Sequence, residues 1–297
     1  MSADIRPRRS VLYMPGSNAR ALEKAKTLAA DSLILDLEDA VAPDMKEVAR
    51  EQVRNAVIAG GFGHREIIIR VNGLGTPWGE ADLDAAIMAA PDAILIPKVD
   101  DPKALEDINA RLGDAKSALW AMIETPKAIL NIGEIAAIAE KGIPLKAFVL
   151  GTNDLAKETG ARLTPGRPAF AAWLSMTVIT ARAYGVTVID GVYNDFNDLD
   201  GFNAECIEGR DLGMDGKTLI HPKQIDIAND AFAPADAEVE FARKIITAFN
   251  EPENAGKGAI TIDGRMVELL HRDMALKTVA IADAISAADD VAAGEAA

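Results

Sequence analysis

The sequence is short of several residue types, and each shortage removes a class of protein. One cysteine, Cys206, among 297 residues permits neither an intrachain disulfide nor a cysteine-ligated zinc site, which fits a reducing cytoplasm. With no histidine motif near it, Cys206 reads as a small apolar filler. Basic residues are outnumbered, 31 Lys and Arg against 46 Asp and Glu, and the net charge of −15 argues against broad binding to nucleic acid or to an anionic membrane surface. No apolar run approaches the roughly 20 residues of a spanning helix, and residues 1–9 lack the apolar core of a signal peptide, so a cytoplasmic location is expected. There is no GxGxxG or Walker loop, which removes ordinary dinucleotide and P-loop readings. What remains is an ordinary globular composition, 49% hydrophobic and 26% charged, in a chain long enough for one large core and an appendage.

Eight short apolar runs, rich in β-branched residues, recur with helical patterns between them. They occupy residues 10–16 (SVLYMPG), 32–39 (SLILDLED), 66–72 (EIIIRVN), 93–99 (AILIPKV), 118–125 (ALWAMIET), 147–154 (AFVLGTND), 187–193 (TVIDGVY) and 216–222 (GKTLIHP). Their starts lie 22 to 40 residues apart, near the roughly 30 residues of one βα unit. Nearly continuous apolar character marks parallel strands buried on both faces. Helical patterns are expected over residues 19–30, 45–59, 102–112 and 167–184. The count points to an α/β fold, a (β/α)8 TIM barrel over residues 1–230, with a doubly wound open sheet as the weaker alternative.

Residues 231–297 break this rhythm and are expected to form a C-terminal extension. It reads as a helix over 235–249, a Gly/Asn/Pro loop, a hairpin of 259–262 and 266–270 around Asp263-Gly264, and a last helix from about 267 to 287 before a small acidic tail that frays.

Polar groups gather at the C-terminal ends of the eight runs: Glu38 and Asp39, Arg70 and Asn72, Lys98, Glu124, Asn153 and Asp154, and His221. A barrel collects those ends into one mouth, where sites of this fold lie. Glu124 and Asp154 supply two carboxylates of the kind that hold Mg²⁺ together with water and substrate oxygens; Mn²⁺ accepts the same donors. Glu38 and Asp39 can hold water or orient basic groups there. The competing reading is that such acids cap helices or pair with arginine, but four acids at one rim repel unless a cation or basic side chains sit among them. Arg70 and Lys98 either clamp a substrate carboxylate or pair internally with Glu38 or Asp39, and the two readings are compatible. His221 carries little weight alone. Trp78, Trp120 and Trp173 read as packing residues, although Trp78, in the loop 75–79, can border the mouth. Residues 1–26 hold six basic groups against two acids, a local +4, with Arg20 and Lys24 on a helix opened by Ser17 or Asn18. This is either a landing place for a polyanionic ligand or a solvated helix face.

With these stretches in view, the sequence resembles the citrate lyase β-subunit-like family of the HpcH/HpaI aldolase superfamily. The stretches are RSVLYMPGSN (9–18), LILDLEDAV (33–41), IRVNG (69–73), ILIPKV (94–99), MIET (122–125), GTNDLA (151–156), IDGVYNDF (189–196) and GKTLIHPKQ (216–224). The resemblance implies a TIM-type barrel with a C-terminal lid, assembled as a homotrimer or homohexamer in which the lid covers a neighbouring subunit's site. It implies an enzyme acting on acyl-CoA thioesters with Mg²⁺ on Glu124 and Asp154, Arg70 on the substrate carboxylate, and Arg20 and Lys24 on coenzyme A. His221 is counted with the substrate-binding residues, and Asp39 joins Arg70 and Glu268 as a catalytic candidate. Among the family's malyl-CoA enzymes, lyases carry an Asp after the Asp-Gly hairpin, whereas this chain carries Glu268, one methylene longer. GTNDLAKE and Glu268 resemble the hydrolytic branch, which implies cleavage of (3S)-malyl-CoA to malate and CoA. The alternatives are C–C cleavage of malyl-, methylmalyl- or citramalyl-CoA, and a citrate lyase-like subunit that needs an acyl-carrier partner.

Overall fold

A computed structural model describes residues 5–295. The chain divides into two compact units, Arg8–Phe232 and the described parts of Met1–Pro7 and Ala233–Ala297.

The larger unit runs β1 (Ser10–Pro15), α1 (Ala19–Ala25), β2 (Ser32–Asp36), α2 (Lys46–Ala59), β3 (Glu66–Arg70), α3 (Gly79–Ala89), β4 (Ala93–Ile96), α4 (Pro102–Leu112) and β5 (Ala118–Ile123). It continues α5 (Pro126–Ala137), β6 (Leu145–Leu150), α6 (Thr152–Thr159), α7 (Ala171–Tyr184), β7 (Thr187–Asp190), α8 (Leu199–Leu212), β8 (Gly216–Leu219) and α9 (Ile225–Phe232). The eight strands pair in parallel in sequence order, and β8 closes on β1, with Val11 opposite Thr218. The open-sheet alternative is thereby excluded.

Successive strand residues point to opposite faces. One set, including Val11, Ile34, Ile68, Leu95, Trp120 and Val149, forms the small cluster that fills the barrel. Their neighbours, such as Leu12, Leu33, Leu35, Ile69 and Phe148, join the larger cluster shared with the helices. Trp120 is wholly buried, as its packing role requires, and Trp173 meets Phe170 edge-on at 5.0 Å. Cys206 is buried as well, and burial pushes its thiol up to about 12, which leaves it inert.

The strands end two to four residues before the sequence-based boundaries wherever the run's tail is polar. Glu38 and Asp39 follow β2 in a loop, and Asn153 and Asp154 lie in the first turn of α6. Backbone that leaves the ladder exposes polar side chains at the rim while the apolar residues stay within the sheet. Helix α1 stops at Ala25 rather than residue 30. Helix α7 starts at Ala171 rather than 167, because Arg167 is left-handed (φ 39°) and precedes Pro168, which disfavours helix.

The smaller unit contains α10 (Asp236–Asn250), the antiparallel pair β9 (Ala259–Ile262) and β10 (Arg265–Glu268), and α11 (Leu269–Glu295). Asp263 and Gly264 both have positive φ (49° and 76°), as a two-residue hairpin turn demands. Ala242, Ile245, Phe249, Ile260, Val267 and Ala275 form its core. The last helix continues through the acidic stretch expected to fray, to Glu295; residues 296–297 lie outside the described residues. Among the described residues no helix is long and apolar enough to cross a membrane.

Candidate active site

The inward rows of the barrel change character at their C-terminal ends. Two residues beyond Val11 comes Tyr13, beyond Ile34 comes Asp36, beyond Ile68 comes Arg70, and beyond Met122 comes Glu124. These side chains, with Asp39, Asn153, Asp154 and Asn194, line a cavity of about 280 Å³.

Arg70 organises its floor. It is 6% exposed and opposes Asp36 across the β2–β3 ladder. Its Nε and Nη2 donate to the two Asp36 oxygens at 2.6 and 2.7 Å, a bidentate pair. Nη1 lies 2.9 Å from Glu38 Oε2 and 3.8 Å from Asp39 Oδ2, and the guanidinium stacks over Tyr13 at 4.7 Å. Burial works against the charge, but Tyr13, Asp36 and Glu38 outweigh it and keep Arg70 firmly cationic. Internal pairing of Arg70 is therefore realised, with Asp36 as the dominant partner that sequence reasoning overlooked. Asp39 sits at the rim with an exposed side chain.

Glu124 is 1% exposed, and its Oε1 accepts the backbone N–H of Lys98 at 2.8 Å. Burial, followed by the charges of Glu38 and Asp154, pushes its carboxyl up to about 8. Burial raises Glu38 in the same direction. Gly151 leaves the space this carboxylate needs: a Cβ there would lie 2.3 Å from Glu124 Cβ and 2.6 Å from Oε2. Asp154 follows three residues later, in the first turn of α6, where the helix dipole favours a carboxylate. Lys98 Nζ reaches Glu38 Oε1 at 3.3 Å and Asp154 Oδ1 at 4.0 Å. Among the described residues no three His, Cys, Asp or Glu converge as a closed metal cage. An all-oxygen pair with a cavity beside it instead fits a hard cation that keeps open positions for water and substrate.

The remaining barrel candidates, His221, Arg20, Lys24 and Trp78, do not line this cavity. The Nδ1 of His221 accepts the backbone N–H of Lys223 at 3.1 Å and its ring stacks on Phe196 at 4.8 Å, so it closes the turn after β8. Arg20 and Lys24 are exposed, one helical turn apart on α1, whose N-cap is Asn18 and not Ser17. Trp78 packs against Lys46 Nζ at 5.3 Å rather than lining the cavity. Glu268 ends β10 in the smaller unit, where its backbone N–H donates to His271 Nδ1 at 3.0 Å. Two supports went unread in the sequence. Asp36 interrupts an apolar strand on the inward face, a signal available from period-2 alternation. Lys46, buried, donates to the carbonyls of Leu37 and Glu38 and to Asn72 Oδ1, fixing the loop that carries Glu38, and no local motif announces it.

Known proteins carry the same arrangement of sequence. The family model for HpcH/HpaI aldolase/citrate lyase matches residues 9–222. A (3S)-malyl-CoA thioesterase of Cereibacter sphaeroides is 51% identical over 287 residues, covering 97% of this chain and 99% of that protein. The citrate lyase subunit beta of Escherichia coli is 33% identical, covering 89% of each chain. Among solved structures, the CitE protein of Mycobacterium tuberculosis in complex with magnesium, acetoacetate and coenzyme A superposes with a TM-score of 0.73 at 27% identity, covering 91% of this chain and 97% of that one. A matching family model across most of the chain, and relatives spanning both of its units, place this protein in the HpcH/HpaI aldolase/citrate lyase family.

Proposed function

We propose that this protein hydrolyses (3S)-malyl-CoA to malate and free CoA in the cytoplasm. The observation that carries the reading is the 51% identity to a (3S)-malyl-CoA thioesterase over 97% of this chain, barrel and extension alike. Mg²⁺ would be held by Glu124 and Asp154, and Mn²⁺ suits the same oxygens. When bound, the metal supplies positive charge to the oxygens of the hydroxy-acid end.

The chain's own groups divide the remaining work. Arg70, aimed into the cavity by Asp36 and Tyr13, presents Nη1 to the acyl portion's carboxylate, sharing that nitrogen with Glu38 Oε2 at 2.9 Å while Nε and Nη2 stay on Asp36. Asp39, at the rim 3.8 Å from that Nη1, helps order water and the arginine. Exposed Arg20 and Lys24 bind CoA phosphates, and the His221–Phe196 stack borders the acyl chain. Glu268 from an adjacent subunit orients or deprotonates the water that attacks the thioester carbonyl. We assign residues 231–297 the role of a lid over a neighbouring subunit's site in a homotrimer or homohexamer, with residues 1–230 as the catalytic barrel.

The test is product analysis. Purified protein given (3S)-malyl-CoA and Mg²⁺ should release free thiol and malate, with turnover abolished by EDTA and no carrier protein required. Formation of acetyl-CoA and glyoxylate instead would convert the reading to a lyase. That second reading draws support from a mitochondrial citramalyl-CoA lyase of Rattus norvegicus, 31% identical and covering 94% of this chain.

A further inference from the structure

Four buried or half-buried acids approach the barrel mouth, and their partners are unequal. Asp36 takes the bidentate Arg70, whose Nη1 also lies 2.9 Å from Glu38 Oε2, which leaves the other oxygen of Glu38 together with Glu124 and Asp154. One residue touches all three. Lys98 donates its backbone N–H to Glu124 Oε1 at 2.8 Å, while its ammonium lies 3.3 Å from Glu38 Oε1 and 4.0 Å from Asp154 Oδ1. To do so it adopts a left-handed backbone (φ 50°), which a long side chain rarely takes and which the surrounding structure must impose. Its side chain is 44% exposed, so the ammonium has a way out to solvent that the buried acids lack.

We propose that Lys98 is a built-in counter-ion: its ammonium stands between Glu38 and Asp154, one of the two metal-holding acids, when no metal is bound and withdraws to solvent when a divalent ion enters. The residue thus sets metal affinity by competition, while its backbone aims Glu124 whether or not metal is present. This rests on the reading of Glu124 and Asp154 as the metal pair. The physical basis is Coulombic. A unit positive charge about 4 Å from a ligand oxygen opposes a divalent cation at that oxygen by an amount that is modest in water and larger in a partly dry cleft. Competition of this kind offsets part of the acids' repulsion in the metal-free protein and makes loading reversible.

The experiment is calorimetric titration of Mg²⁺ into the full-length, EDTA-stripped protein without substrate. Lys98→Met keeps the chain length and pays the same left-handed cost; Lys98→Gly removes that cost and keeps the backbone N–H. Both should bind Mg²⁺ about tenfold more tightly than the unaltered protein, and saturating Mg²⁺ should raise their unfolding temperature further. Lys98→Arg, which keeps the charge, should bind within about twofold of the unaltered protein. Equal or weaker Mg²⁺ binding by both neutral variants overturns the proposal, as does an equal change in the Arg variant. Absence of Mg²⁺ binding by the unaltered protein overturns the metal reading itself, and that result is distinguishable from the others.

Discussion

Asp190 and Glu124 are both carboxylates buried in the barrel unit, and their surroundings push them in opposite directions. Burial alone raises either one. At Asp190 that effect is outweighed by Lys217 and Arg167, whose nitrogens stand 2.8 and 2.7 Å away, and the carboxyl is held below its usual range. Glu205 completes the cluster by accepting from Lys217 at 2.7 Å. At Glu124 the only hydrogen bond among the described residues is the backbone N–H of Lys98, the near charges include Glu38 and Asp154, and the group rises to about 8. The first cluster is closed and ties the loop before α7 to β7, β8 and α8. The second is left short of positive charge beside a cavity, the condition under which a cation or a charged substrate finds work to do.

Replacements that separate chemistry from stability should break this comparison most sharply. Glu124→Gln should lower turnover by about a thousandfold, several kcal/mol of lost transition-state stabilisation. Its unfolding free energy in EDTA should not fall, because the change removes a repelled charge; a denaturant melt beside a thiol-release assay reads both. Asp190→Asn should do the reverse. It strands Lys217 and Arg167 in the interior and should cost about 3–5 kcal/mol of stability, measured by urea unfolding, with a far smaller loss of kcat/KM in the folded fraction.

The third prediction sharpens the contrast through pH. Glu124 is raised from 4.5 to about 8 in the folded protein, so folding favours its protonated form. Its contribution is fully present below pH 4.5 and is lost as pH rises through about 8. Thermal melts in EDTA should show this decline, and Glu124→Gln should remove it. The smallest effect belongs to the exposed rim: Arg20→Ala should raise KM for the CoA ester about fivefold with kcat unchanged, since an exposed charge contributes on the order of 1 kcal/mol.

Much of this was open to a reader of the sequence. Apolar runs at βα spacing announced the barrel, because strands buried on both faces have few residue choices, and Glu124, Asp154, Arg70 and Lys98 were each legible as polar breaks at the ends of such runs. Other features were hidden for identifiable reasons. Asp36 stands 34 positions from Arg70, and only the parallel register of β2 and β3 sets them opposite each other. Lys46 reaches the β2 loop from α2, and Arg167 meets Asp190 from a loop read as helix, so neither leaves a local pattern.

The sequence by itself determined the succession of βα units and the polar groups at the strands' C-terminal ends, because periodicity and apolar content are local properties that survive without knowledge of neighbours; closure of the ring came from the pairing of β8 with β1. Which acid receives a cation, and which is left wanting one, was decided only in three dimensions. Ion pairing acts over a few ångströms, and the cross-strand register, the left-handed turn at Lys98 and the space kept open by Gly151 set those distances.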